Sequence, residues 1–138
     1  MQSRIRENKK DVETILRTRR QSFAHAWRGI GIVFKTQPNA RIQLFIFNIV
    51  VWVGLWLKIS TVEWLILIMT SGLVIALETI NTAFEIDIDL TSPEYHPYAK
   101  DTKDVAAGAV LIATLVALSA ACIIFIPKLA PYVYMYFL

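Results

Sequence analysis

Cysteine is nearly absent from this chain of 138 residues. The single one, Cys122, has no internal partner for a disulfide, and within an uncharged run it reads as a small apolar packing residue. Charge is scarce too: 18% of residues are charged against 56% apolar, and none is charged in Ile42–Leu57, Trp64–Leu77 or Val105–Pro127. A short soluble domain has no need of that much apolar surface, which excludes an ordinary cytosolic fold. No internal repeat or low-complexity tract occurs. No phosphate-cradling Walker loop occurs either, since Arg28–Gly31 carries only a lone G-x-G. No small-residue cleavage site follows the first apolar run, so that run is expected to stay in the protein as a span and not to act as a leader.

The three uncharged runs are what remains. A helix crossing about 30 Å of hydrocarbon needs about 20 mostly apolar residues. The third run meets this alone and the first meets it with its flanks. The second does so only if the helix continues through Glu78. The expectation is an all-α membrane protein, one membrane domain over 1–138, with three spans at 40–58, 62–88 and 103–127. Trp52 and Trp56 would anchor the outer end of the first span. Pro93 and Pro97 mark a loop between the second and third, and Pro127 closes the third. Along the third, Ala109, Ala113, Ala117 and Ala121 recur every fourth residue, a spacing that lets membrane helices approach closely.

Before the first span, residues 11–36 carry Val12, Ile15, Leu16, Phe23, Trp27, Ile30, Val33 and Phe34 at helical spacing, with Arg17, Arg20 and Arg28 on other faces. This predicts an amphipathic helix lying on an anionic membrane surface; a helix packed on a partner domain is the competing reading. Pro38 lacks an amide donor and ends that helix. Ten of the fourteen Lys and Arg residues lie at or before Arg41, and Lys100 and Lys103 fall between spans two and three. Only Lys58 and Lys128 remain for the opposite side, so the N-terminus is expected in the cytoplasm. No nucleic-acid motif accompanies the basic arm, and no nucleic-acid partner is expected.

The informative residues are polar groups where lipid should be. Glu78, Asn81, Glu85 and Asp89 fall within about 80° of one another on a helix turning about 100° per residue. At 1.5 Å per residue, Glu78 lies about 22 Å from Glu63 at the outer edge and Glu85 about 33 Å, so the stripe runs from hydrocarbon to cytosol. A carboxylate inside a membrane helix costs at least about 2.5–3.5 kcal/mol and must face a partner or a polar cavity. Three spans offer little interior, which points to a homo-oligomer. Across from the stripe, Lys100, Asp101, Lys103 and Asp104 open the third span. Carboxylates to hold Mg²⁺, a lysine to neutralise phosphate and a further carboxylate to accept a hydroxyl proton are the parts of phosphoryl transfer. Charges that merely flank helix ends remain the alternative for Asp87, Lys100 and Asp101. A transporter or proton relay built on Glu78 is the alternative of another class, and a non-catalytic membrane assembly protein is a third.

The stretches Glu78-Thr-Ile-Asn-Thr-Ala-Phe-Glu85, Asp89, Glu94-Tyr-His96 and Lys103-Asp104-Val-Ala-Ala-Gly-Ala-Val110 resemble the signature of the prokaryotic diacylglycerol kinase and undecaprenol kinase family. His25-Ala-Trp-Arg-Gly29 and Asn39-Ala-Arg41 extend the resemblance to about residues 22–128. It implies a homotrimer in the bacterial inner membrane, using ATP and Mg²⁺ to phosphorylate a lipid alcohol. Glu78 would be the general base, Asn81 would orient groups beside it, and both would meet the lipid. Glu85 would hold the metal and nucleotide, and Lys103 and Asp104 would contact nucleotide. Arg28 matches a nucleotide-side position and Arg41 a substrate-side one. Where members commonly carry a second metal-binding glutamate this chain has Gln37, a neutral amide that can coordinate through oxygen without supplying charge. Pro97–Asp104 and Ile126–Leu129 look more like undecaprenol kinases than diacylglycerol kinases, so undecaprenol is the expected substrate and diacylglycerol the alternative.

Overall fold

A computed structural model describes the backbone from Gln2 to Phe137 and the side chains of residues 15–132 and 134. Within it the chain is helical, in four elements: α1 (Gln2–Thr36), α2 (Pro38–Trp56), α3 (Thr61–Thr91) and α4 (Pro97–Phe137). Helices α2 and α3, and α4 over Pro97–Tyr132, are each long and apolar enough to cross a membrane. The fold is thus all-α with three candidate spans. The chain divides into two compact units, Met1–Thr36 and Gln37–Leu138.

The first unit is a single unbroken helix. Ile15, Leu16, Phe23 and Trp27 are all exposed on it. Val12, expected on the same face, has its side chain outside the described residues. The helix stops where the sequence says it must. Gln37 is extended (φ −101°, ψ 110°), the conformation that a following proline imposes, and Pro38 takes the first position of α2, where an amide proton would have had no acceptor.

In the second unit α3 packs against both α2 and α4. The turn joining α2 to α3 is specified residue by residue. Lys58 adopts a left-handed conformation (φ 50°), its N–H donates to Leu55 O at 3.3 Å and Ile59 N–H donates to Gly54 O at 3.2 Å. That pair of bonds is a Schellman closure, with lysine where glycine is usual. Ser60 then caps α3: its hydroxyl accepts from Glu63 N–H at 3.3 Å, and Glu63 Oε2 accepts from Ser60 N–H at 2.7 Å. The other oxygen of Glu63 pairs with Lys128 of α4 at 3.2 Å. Below this turn lies a small core of Ile59, Leu67, Ile124 and Phe125, with Val50, Val53, Trp64, Ala121 and Leu129 packed against it.

Gly54 is where that core tolerates no side chain. A Cβ there would stand 2.8 Å from Trp64 Cη2 and 3.0 Å from Ile59 Cδ1. Overpacking of this kind costs about 1–3 kcal/mol. Gly54→Val should therefore lower the midpoint of thermal inactivation in detergent. An unchanged midpoint would mean that the indole moves aside without loss.

Helix α4 departs from expectation at both ends. It begins at Pro97, inside the expected loop, and continues through Pro127 and Pro131. Proline at the first position of a helix loses nothing. The two internal prolines remove the donors to Ile123 and Pro127 carbonyls, a loss that membrane helices tolerate where water or neighbouring groups supply replacements. Along α4, Ala113 is buried and Ala109, Ala117 and Ala121 are half-buried, so the four-residue alanine spacing lies along the helix's more sheltered side.

Candidate active site

The deepest polar group of the second unit is a carboxylate. Glu78, on α3, is 2% exposed, and Thr82 (2%) and Asn81 (7%) are buried beside it. The expected stripe is therefore real as a helix face. Two of its four members, Glu78 and Asn81, are enclosed, Glu85 is half-buried and Asp89 is exposed. Thr82 satisfies its hydroxyl within the helix by donating to Glu78 O at 2.8 Å, which keeps it from competing for the carboxylate.

Each level of the stripe meets a residue from a neighbouring helix. At the deep end Gln43 of α2 donates its Nε2 to Glu78 Oε2 at 3.4 Å. Further along α3, Glu85 accepts two amide donors, Asn81 Nδ2 on Oε1 at 3.0 Å and Gln37 Nε2 on Oε2 at 2.6 Å. At the outermost level Asp89 pairs with Lys103 of α4. The spacing follows from antiparallel packing: six residues separate Gln37 from Gln43 on α2, and seven separate Glu85 from Glu78 on α3. Gln37 occupies the N-cap position of α2, yet its side chain makes no cap. It reaches Glu85 instead, and because Pro38 has no N–H the helix has one donor fewer to leave unsatisfied.

Two acceptors in this cluster are buried without a partner, Gln43 Oε1 and Asn81 Oδ1. A buried carbonyl left unpaired costs about 1–3 kcal/mol, so such atoms concentrate where another group is meant to arrive. Beyond Asp89 a cavity of about 250 Å³ opens at the junction of α3 and α4, lined by Asp89, Pro93, Tyr95, His96, Lys100 and Lys103 among others. The His96 and Tyr98 rings lie 5.6 Å apart at its edge. The Lys103–Asp89 pair is partly to largely solvated, and pairs of that kind hold together by under about 1 kcal/mol. Lys103 is thus not locked to Asp89.

The sequence-predicted residues separate accordingly. Gln37, Glu78, Asn81 and Glu85 are brought together on α2 and α3, and Lys103 meets the stripe's last member. Asp104 and Arg41 are exposed and make no side-chain hydrogen bond or ion pair among the described residues. Arg28 is exposed on α1, in the other unit. Gln43 escaped the sequence reading. The signal was available: it is an amide within a run noted only for lacking charge, and a polar group there needs a partner.

No group of three or more His, Cys, Asp and Glu suited to a metal occurs among the described residues. The donor set nevertheless fits a hard cation that prefers oxygen, such as Mg²⁺. Mg²⁺ takes oxygen ligands and is commonly held by one or two protein groups plus the phosphates of its substrate. The Glu85 carboxylate and the Gln37 amide, already in contact, supply two such oxygens once the amide is turned over.

Residues 24–125 match the family described as prokaryotic diacylglycerol kinase. The chain is 37% identical over 109 residues to the undecaprenol kinase of Bacillus subtilis, covering 79% of this chain and 89% of that protein. It is 40% identical over 109 residues to the diacylglycerol kinase of Synechocystis, covering 78% of this chain and 62% of that one. It is 29% identical over 104 residues to the diacylglycerol kinase of Escherichia coli, covering 75% and 85% of the two.

Proposed function

The chain belongs to the prokaryotic diacylglycerol kinase family and is a membrane lipid kinase, a phosphotransferase acting on an alcohol with ATP as donor; from that premise we propose that it phosphorylates the primary hydroxyl of undecaprenol, with Glu78 as general base. The observation that carries the role of Glu78 is its burial at 2% exposure in a helix apolar enough to span, with an uncharged amide as its side-chain partner. Held by an uncharged amide, with no cation paired to it among the described residues, the carboxylate is free to accept a proton arriving on a lipid headgroup.

In this reading the lipid hydroxyl gives its proton to Glu78 as its oxygen attacks the γ-phosphorus of ATP. The bond from that phosphorus to the bridging oxygen breaks, and ADP leaves with the electron pair. Asn81 has its amide nitrogen committed to Glu85, so its free Oδ1 accepts from the incoming hydroxyl or its water. Lys103 leaves Asp89 to neutralise phosphate and Asp104 binds the nucleotide; the family resemblance makes Arg28 a nucleotide-side candidate as well. Arg41 meets the lipid phosphate product at the membrane face. Glu85, with Gln37, would hold Mg²⁺, which when bound offsets the charge of the β- and γ-phosphates.

We further propose a homotrimer in the bacterial inner membrane with the N-terminus cytoplasmic and the first helix on the membrane surface. The distribution of Lys and Arg supports that orientation, and the exposed Phe23 and Trp27 support the surface helix. The choice of undecaprenol rests on the Pro97–Asp104 and Ile126–Leu129 stretches and on the match to 89% of the B. subtilis kinase. The identity to the cyanobacterial diacylglycerol kinase favours diacylglycerol as the second reading.

The deciding assay incubates purified protein in detergent with γ-labelled ATP and either undecaprenol or diacylglycerol. The expected result is a higher kcat/KM for undecaprenol. Label in phosphatidic acid alone would transfer the proposal to diacylglycerol, and label in neither lipid would end it.

A further inference from the structure

Gln43 is a second polar residue at the base, and the role given to Glu78 leaves it unexplained. Its Nε2 faces Glu78 Oε2 at 3.4 Å, while its Oε1 is buried with no partner. In an apolar span both halves of an amide need partners, so an orphaned oxygen is a cost that packing alone does not explain. The long contact is also informative, because hydrogen bonds at active sites are often loose until substrate closes them.

The two ends of an amide have opposite polarity, and this accounts for both observations. An ionised Glu78 only accepts, and the Nε2 end suits it. A Glu78 that has taken a proton presents an O–H donor, and for that state the Oε1 end is the right partner. A half-turn of the Gln43 amide about its last side-chain torsion, a broad two-fold rotation, exchanges the two ends without moving the backbone. The oxygen unpartnered before the reaction is then satisfied after it.

We propose that Gln43 is a positioning residue for Glu78, its amide donating to the carboxylate before proton transfer and accepting from the carboxylic acid afterwards. This rests on Glu78 being the base. Gln43 acts through Glu78 and not on the hydroxyl or the phosphorus directly. It aims the carboxylate at the hydroxyl and removes the penalty of leaving a buried acid without an acceptor. A lysine at this position would pair too strongly and hold Glu78 ionised, and an apolar residue could follow neither state.

The test uses the full chain in detergent, with undecaprenol and diacylglycerol assayed in turn. Two variants are made, Gln43→Met, which keeps the volume, and Gln43→Asn, which keeps polarity but withdraws the amide by a methylene. Each is expected to lower kcat about ten- to a hundredfold, the scale of a misaimed catalytic group, with KM for ATP and for lipid nearly unchanged. Adding either to Glu78→Gln should lower the residual rate no further, because a positioning residue has nothing left to aim. Wild-type kcat in either folded variant, a loss seen only in KM, or full additivity with Glu78→Gln would each overturn the proposal. The single Glu78→Gln variant separates the two ideas. If it is active, the base assignment itself fails; if it is inactive while Gln43→Asn retains wild-type kcat, only the role of Gln43 fails.

Discussion

Glu78→Gln is expected to lower kcat for lipid phosphorylation about a hundred- to ten-thousandfold, the usual contribution of a positioned general base. The same substitution should make the protein harder to unfold. A carboxylate in a membrane helix carries a cost of at least about 2.5–3.5 kcal/mol that a neutral amide largely avoids. Glutamine has the same shape, so the close packing around a residue 2% exposed survives, and its own oxygen can still accept from Gln43. Loss of activity together with a raised midpoint of thermal inactivation in detergent is the signature of a group retained for chemistry at the expense of stability. A lower midpoint accompanying the lost activity would make Glu78 structural. Normal activity would remove it from the mechanism altogether.

The second large effect is at the Glu85 end of the stripe. Glu85→Ala removes the only carboxylate of the Gln37–Asn81–Glu85 cluster and strips two amide donors of their acceptor. Activity at fixed Mg²⁺ should fall by at least about a hundredfold, beyond what the loss of a supporting residue around a metal costs. The half-saturating Mg²⁺ concentration should rise in parallel. Glu85→Asp, which withdraws the carboxylate by one methylene, should fall between the two. The titration against Mg²⁺ is the decisive measurement. If the Glu85→Ala curve keeps the wild-type midpoint and loses only height, Glu85 acts on the protein and not on the metal. Gln37 sharpens this expectation. With a neutral amide in place of a second carboxylate, the cluster has one negative charge for the cation, and Glu85 bears nearly all of the attraction.

Much of the architecture was legible without coordinates because a membrane simplifies the rules. Every backbone polar group in hydrocarbon must be satisfied within its own segment, so an uncharged run of sufficient length is a helix. That is why α2, α3 and α4 were found. For the same reason Pro38 marked the break after Thr36: a missing N–H and a clash with the preceding residue are local effects. Helix ends were less legible. Pro127 looked like a stop, yet α4 passes through it and through Pro131, because the cost of an internal proline depends on what else satisfies the freed carbonyls.

The opposite holds for the site. The alignment of Glu78, Asn81, Glu85 and Asp89 on one face depends only on the helical repeat, and the cost of a charge in lipid marks Glu78 as a candidate before any fold is known. Their partners do not follow from periodicity. Gln43 reaches Glu78 and Gln37 reaches Glu85 because α2 runs back along α3 after the turn at Lys58 and Ser60, with Gly54 admitting the Trp64 ring. Lys103 meets Asp89 because α4 starts early, at Pro97, and brings its first turns alongside the end of α3. The sequence by itself determined which residues are too costly to be idle, because that cost is a property of one side chain and its depth. Only the tertiary structure decided which neighbour answers each of them, because a pairing between helices is set by register and packing, and neither is encoded in a single segment.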